Sequence, residues 1–343
     1  MIRVALVQPP NSGNSIRGIG FYVDNLYRSI SGLSDISISW VPFQPFFLQN
    51  RFDIIHFPYF DITFPTLSLF RSAKTVVTVH DLTPLKFPKH FPMGTRGKVV
   101  WPMQKALLST VDAIIADSYA SKADITAFAK IPESKIHVVY LSQGNKSHRV
   151  TDQAILQKVR TKYKLPAKFA LYVGGVNWNK NLPTLIKACL KIKLPLVIVG
   201  KEALGKGADL SNIENAPLKE ILELSKNKLI QRLGFVDTED LIVIYNLANI
   251  YVLPSVYEGF GITILEAMAA GTPVVCGRNS SLTEIAGDAA TYVDVQNVDA
   301  LAKAIISVRK TGKEIAQAAK FTWQKTAEQT CELYKRVLDG QKG

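Results

Sequence analysis

Cysteine is scarce in this chain: Cys189, Cys276 and Cys331 are the only three in 343 residues, far apart and without paired spacing. Such scarcity excludes a disulfide framework and a cysteine-built zinc cluster. It predicts three small buried apolar side chains in a reducing compartment. Long apolar runs are missing too. Nowhere do about eighteen uncharged apolar residues follow one another, and the opening MIRVALVQPP is too short and proline-broken for a signal segment. A cytoplasmic location is expected. No internal repeat or low-complexity tract interrupts the sequence. Acidic residues are the scarcer sign, 28 against 41 Lys and Arg, for a net charge of +13. The deficit is uneven: residues 1–166 carry 20 basic and 10 acidic side chains, residues 167–343 carry 21 and 18. A basic first half predicts an anionic partner. The sequence has no zinc finger, arginine-rich arm or paired ribonucleoprotein aromatics, so nucleic acid is not expected.

What is present is an α/β pattern repeated twice. At 343 residues and 47% hydrophobic, the chain is long enough for two cores. Ile2–Val7, Ile54–Phe57, Thr75–Val79 and Ala113–Ala116 read as buried parallel strands, with helices at Phe21–Ile30 and Ser121–Ala129. A polar basic stretch at 142–164 and Pro166 follow. The pattern then restarts with strands at Phe169–Val173, Leu196–Val199, Ile230–Leu233, Ile250–Leu253, Pro273–Cys276 and Thr291–Val293, and with helices near 181–192, 239–247, 263–270 and 299–309. Trp323, Ala327, Leu333, Tyr334 and Val337 form a helical stripe in the last segment. The expected architecture is two doubly wound parallel-sheet domains, with ligands bound beyond the carboxyl ends of the strands in the cleft between them. In KFPKHFPMGTRGKVVWPMQK, at 86–105, Lys86, Lys89, Arg96, Lys98 and Lys105 interleave with Phe87, Phe91, Val99, Val100 and Trp101. That mixture suits anionic headgroups. An ordinary solvated helix face is the alternative, with Pro102 limiting its length.

Chemistry concentrates in SVYEGFGITILEAMAAGTPVVC, residues 255–276, where Glu258 and Glu266 bracket a Gly259-Phe260-Gly261 loop. Glycines let backbone N–H groups approach an anion, and the helix starting near Thr263 points its positive end the same way. The carboxylates suit sugar hydroxyls. A purely structural reading also fits: Thr263-x-x-Glu266 as a capping box, Gly271 as a helix C-terminal glycine and Pro273 as a stop before a buried strand. By composition alone, Gly18-Ile19-Gly20 is a tight turn between strand and helix, Lys180 in NWNKN a surface lysine, and His80-Asp81 a strand end.

SVYEGFGITILEAMAAGTPVV resembles the signature of the retaining glycosyltransferases of group 1, which have the GT-B fold. RGIGFYVDNL at 17–26, VTVHDLTPLKFP at 77–88, IIADSYASKADI at 114–125 and LYVGGVNWNKNL at 171–182 match the family in the same order. The resemblance implies domains at 1–165 and 166–318 and a helix at 319–343 returning to the first domain. It implies donor contacts from Gly18, Gly20, Asn179, Lys180, Glu258, Gly259, Phe260, Gly261, Thr263 and Glu266, with Arg17, Arg278 and Glu284 as further candidates. His80, with Asp81 either orienting it or binding an acceptor hydroxyl, is expected to position the reacting groups beside Lys180 and Glu258. Asp117 and Ser118 read as a helix start. Where the family usually has an Arg-Lys pair, this chain has Asn179 and Lys180, so the departing diphosphate loses one cation. The sequence has no Asp-x-Asp pair, and neither metal nor other cofactor is expected.

The implied reaction moves a hexose, preferably mannose from GDP-mannose, to a glycan or lipid-linked glycan in polysaccharide or lipopolysaccharide synthesis, at the inner face of the membrane. A UDP-sugar donor, a non-catalytic glycan-binding member and a sugar-phosphate synthase or phosphorylase are the alternatives. A dinucleotide-dependent dehydrogenase is disfavoured because Tyr22-Val23 stand where a third glycine is needed.

Overall fold

The computed structural model describes residues 1–8, 17–47, 51–144, 147–211 and 215–340, with only the backbone of Arg17 and Phe47. The chain divides into two compact units: residues 1–142 with 321–343, and residues 143–320. The first unit begins with β1 (Ile2–Val7), α1 (Arg17–Ser31), β2 (Ile36–Val41), β3 (Phe46–Phe47), β4 (Ile54–Phe57), β5 (Phe70–Arg71) and β6 (Lys74–Val79). It continues with α2 (Thr83–Lys86), α3 (Gly94–Ser109), β7 (Ala113–Ala116), α4 (Tyr119–Asp124) and β8 (Ile136–Val138). Six strands form one sheet in the order β2-β1-β4-β6-β7-β8, every pair parallel, while β3 pairs with β5.

Every residue of β4 and β7 is buried. That is the signature of strands covered by helices on both faces. α1 buries Tyr22, Val23, Leu26 and Ile30, one helical stripe. Each such side chain contributes about 1.5–3 kcal/mol on leaving water. α1 starts at Arg17, so Gly18 and Gly20 lie exposed in its first turn rather than in the expected tight turn. The buried stripe carries the helix back through both glycines, each of which costs only about 1 kcal/mol relative to alanine. α3 runs through Pro102 instead of ending there. Buried Gln104 and Leu108 anchor the turn after the proline, offsetting the one backbone bond lost. Within the six-stranded sheet, the strands that periodicity did not reveal, β2 and β8, are its edges, where burial is incomplete and the apolar run weakest. The expected helix at Ser121–Ala129 is α4 followed by a π-turn, Ile125–Ala129, and Ser118 caps it by accepting from the Ser121 N–H at 3.0 Å.

The second unit contains α5 (Gln153–Lys162), β9 (Ala170–Val173), α6 (Leu182–Lys191), β10 (Leu196–Val199), α7 (Ala216–Leu224), β11 (Ile230–Gly234), α8 (Thr238–Leu247) and β12 (Ile250–Leu253). After these come α9 (Ile262–Ala269), β13 (Val274–Gly277), α10 (Leu282–Ala286), β14 (Ala290–Val293), α11 (Val298–Ser307) and α12 (Glu314–Ala318). Its sheet, also wholly parallel, runs β11-β10-β9-β12-β13-β14, the dinucleotide-fold order. The basic stretch before residue 165 is not a linker. It contains α5, capped by Asp152 at 2.8 Å, and the Tyr163 hydroxyl donates to Asp240 of α8 at 2.8 Å. This packing moves the division from the expected residue 165 to residue 142.

The chain then re-enters the first unit as α13 (Trp323–Leu338), packed on α1. Trp323, Ala327, Leu333 and Tyr334 are buried, Val337 is partly buried, and the Trp323 ring meets Phe21 edge-on at 5.8 Å. All three cysteines are free and buried.

Candidate functional site

In the second unit the strand order reverses between β9 and β12, so the loops after these neighbours diverge and leave a crevice at the carboxyl edge. After β9 comes Gly174-Gly175, then a single 3₁₀ turn, Trp178–Lys180. Gly200, after β10, approaches so closely that a Cβ there would sit 2.2 Å from the Gly174 carbonyl oxygen. The tight turn sends adjacent side chains in different directions. Asn179 points inward, 7% exposed, and donates to the Tyr257 carbonyl at 3.0 Å, while its own carbonyl accepts from Val256 N–H at 2.8 Å. It binds one loop to the other.

Lys180 is the cation of this site. Its Nζ lies 2.8 Å from both Oε1 and Oε2 of Glu258, which is only 8% exposed. Three serines hold that carboxylate and its loop. Ser255 Oγ donates to Glu258 Oε1 at 2.6 Å, Ser280 Oγ accepts from the Glu258 N–H at 3.0 Å, and Ser281 Oγ lies 3.0 Å from the Glu258 carbonyl and 2.8 Å from that of Phe260. Sequence reading missed these serines, because nothing local distinguishes them from ordinary loop residues.

Gly261, at φ +97°, is the N-cap of α9, and Phe260 is buried before it. The capping box expected from Thr263 and Glu266 does not form, because the helix starts two residues earlier than a Thr263 cap requires. Thr263 Oγ1 instead accepts from Tyr251 at 2.7 Å, and Glu266 Oε2 accepts from Tyr245 at 2.8 Å. Burial pushes the Glu266 carboxyl up to about 7, against the opposing pull of the Tyr245 hydroxyl. Gly271, at φ +71°, follows the end of α9 as expected. Arg278 is exposed, its guanidinium 4.6 Å above the Tyr292 ring, and Glu284 sits in the first turn of α10. A cavity of about 500 Å³ opens here between Val256, Arg278, Asn279, Tyr292 and Asp294.

In the first unit His80 follows β6, with Nδ1 2.7 Å from Asp117 Oδ2 and Nε2 3.2 Å from the Pro58 carbonyl. Asp117 is 2% exposed. Asp81 does not orient His80 as expected; it is exposed and accepts from the Thr83 N–H at 2.8 Å. Parallel register explains the exchange. Val79 pairs with Ala116, so the next residues, His80 and Asp117, emerge side by side. Successive residues of one strand point apart. The Arg17 side chain lies outside the described residues. Among the described residues no three His, Cys, Asp or Glu side chains gather to hold a metal ion, and no helix is long and apolar enough to cross a membrane.

Known proteins resemble this chain in sequence and in fold. The model for Glycosyl transferases group 1 matches residues 155–325, and that for Glycosyltransferase Family 4 matches residues 16–141. The O-antigen chain mannosyltransferase B of Escherichia coli is 30% identical over 284 residues, 77% of this chain and 71% of that protein. Sucrose-phosphate synthase from Thermosynechococcus elongatus superposes with a TM-score of 0.76 at 20% identity, over 99% of this chain and 100% of the other. Anabaena Alr3699/HepE in complex with UDP-glucose superposes at 0.72 and 15% identity, over 98% and 100%. With both sheets wholly parallel and the signature loops at the strand-order reversal, the chain belongs to the group 1 glycosyltransferases and carries their two-domain α/β GT-B fold.

Proposed function

We propose that the protein transfers a hexose from a nucleoside-diphosphate sugar to a hydroxyl of a glycan or lipid-linked glycan, with retention at the anomeric carbon and without a metal ion. The observation carrying this reading is the Lys180–Glu258 pair set at the reversal of strand order beside the start of α9. An ammonium has three N–H donors. Two face Glu258, and the third is left for a phosphate oxygen. Glu258 accepts from sugar hydroxyls, Glu266 from the ribose, and the Gly259–Gly261 amides with Thr263 meet the phosphates. As the bond to the sugar breaks, Lys180 and the positive end of α9 stabilise the departing diphosphate. Asn179 adds no charge there. The acceptor hydroxyl attacks from the departing face and gives its proton to the leaving phosphate.

GDP-mannose is the preferred donor, in keeping with the E. coli mannosyltransferase, and a surface polysaccharide is the preferred acceptor. The UDP-glucose bound to the Anabaena protein favours a UDP-sugar as the second reading. A thermal-shift screen in EDTA against GDP, UDP and their sugars, followed by transfer assays, decides between them. Stabilisation by one nucleotide, lost in Glu266→Ala, supports the reading; no response at millimolar ligand overturns it in favour of a non-catalytic glycan-binding member.

We further propose that the first unit docks on anionic membrane. α3 exposes Val99 (74%) and Met103 (37%), near the basic Arg96 and Lys98, while Arg96 covers the exposed Phe64 ring at 3.8 Å. Trp101 and Lys105 of the same stretch turn inward, towards Phe60 and the Phe128 carbonyl. The double variant Val99→Asp, Met103→Asp should stop flotation with phosphatidylglycerol vesicles while leaving transfer to a soluble acceptor intact.

A further inference from the structure

We propose that Asp117 is a positioning residue: together with the Pro58 carbonyl it holds His80 as a doubly protonated imidazolium that ties three strand ends and does not serve as a base. His80 offers Nδ1 to a carboxylate oxygen at 2.7 Å and Nε2 to a backbone carbonyl at 3.2 Å. With Asp117 ionised, both partners only accept. A neutral imidazole has one N–H and one lone pair, so either tautomer would set a lone pair against an oxygen; only the charged ring satisfies both.

Asp117 is almost wholly buried, and its Oδ1 has no hydrogen-bond partner among the described residues. Burial pushes the Asp117 carboxyl up and His80 pulls it back down, so the charged carboxylate depends on a cation beside it. The remaining groups around the ring are consistent with this state. Tyr22 lies edge-on at 4.8 Å, Asp81 adds negative charge, and burial pushes His56 down to about 3, leaving it neutral. Burial pushes the His80 ring down, but Asp117, the Pro58 carbonyl and Asp81 together bring it above its ordinary value.

Pro58, His80 and Asp117 immediately follow β4, β6 and β7, consecutive strands of the sheet. One ring therefore crosslinks three strand ends, and Ser121 Oγ holds the His80 carbonyl at 2.8 Å as well. Under the glycosyltransferase reading, on which only this clause rests, the acceptor proton goes elsewhere than to His80.

The test is ¹⁵N NMR of the full chain labelled at histidine, with His80→Gln identifying the signal. Both ring nitrogens of His80 should be protonated from about pH 6 to 8, across the range where an ordinary imidazole loses its proton. In Asp117→Asn the ring should titrate at or below about 6.5, and transfer should become pH-dependent over the same interval. A bare ring nitrogen in the wild type at pH 7, or a wild-type rate that follows His80 deprotonation, overturns the proposal. If Asp117→Asn does not fold, the wild-type spectrum still decides. If no donor is turned over, the glycosyltransferase reading falls while the spectrum continues to test the ring.

Discussion

Lys180 and Glu258 are 78 positions apart in sequence, yet both carboxylate oxygens lie 2.8 Å from one ammonium. Removing the cation should act chiefly on the chemical step. Lys180→Met is expected to lower kcat about 10²–10³-fold, the range for a lost charge-stabilising donor, measured as release of nucleoside diphosphate in single turnovers. Glu266 gives a test by pH. Its folded value of about 7 lies above the ordinary 4.5, so between these the folded protein keeps a proton that the unfolded chain releases. Stability from this group is therefore greatest below about 4.5, falls as pH rises, and is lowest above about 7. Urea midpoints at pH 5 and pH 8 should show that fall in the wild type and a smaller one in Glu266→Gln, which keeps an acceptor for Tyr245.

At the scale of elements, α9 depends on the single residue that starts it. Gly261 sits at φ +97°, and a Cβ there would stand 2.8 Å from Leu282 Cδ2 of α10. Gly261→Ala should cost about 1–2 kcal/mol for the left-handed backbone alone, read from the denaturation midpoint, and should weaken nucleotide binding by tilting the first turn of α9. Asn179 has a similar structural duty between the loops after β9 and β12. An arginine at this position would have to fit a longer, charged side chain where Asn179 is now buried and donates to the Tyr257 carbonyl.

At the scale of the molecule, each unit has its own core. That of residues 143–320 centres on Leu171, Ile198, Val252 and Val275, and that of the first unit on Ala5, Ile55, Val77 and Ile114. The first unit is discontinuous in sequence and depends on α13. Tyr334 donates to or accepts from His56 Nδ1 at 2.7 Å, and Thr326 Oγ1 donates to the Tyr140 carbonyl at 2.7 Å. Residues 143–320 expressed alone should therefore show a cooperative melt. Residues 1–142 alone should expose Tyr22 and His56 and fail to give dispersed amide resonances.

The sequence by itself determined the family and those elements whose side chains follow a clear local period. Four-residue buried strands such as Ala113–Ala116, the amphipathic face of α1 and the glycine after α9 are local periodicities or backbone demands, written in consecutive residues. Edge strands β2 and β8, covered less fully, carried too faint a pattern to recognise, and Gly18, Gly20 and Pro102 gave breaker signals that packing overrode. Tertiary structure decided which side chains meet. Asp81, next to His80 in sequence, is exposed and turns to the Thr83 N–H, whereas Asp117, 37 positions on, is brought alongside by parallel pairing of β6 and β7. Asn179 and Lys180 likewise divide between a buried tie and a charged site because a 3₁₀ turn separates their directions. Strand order and side-chain direction are properties of the folded sheet, and they assigned the chemistry that neighbouring positions in the chain left open.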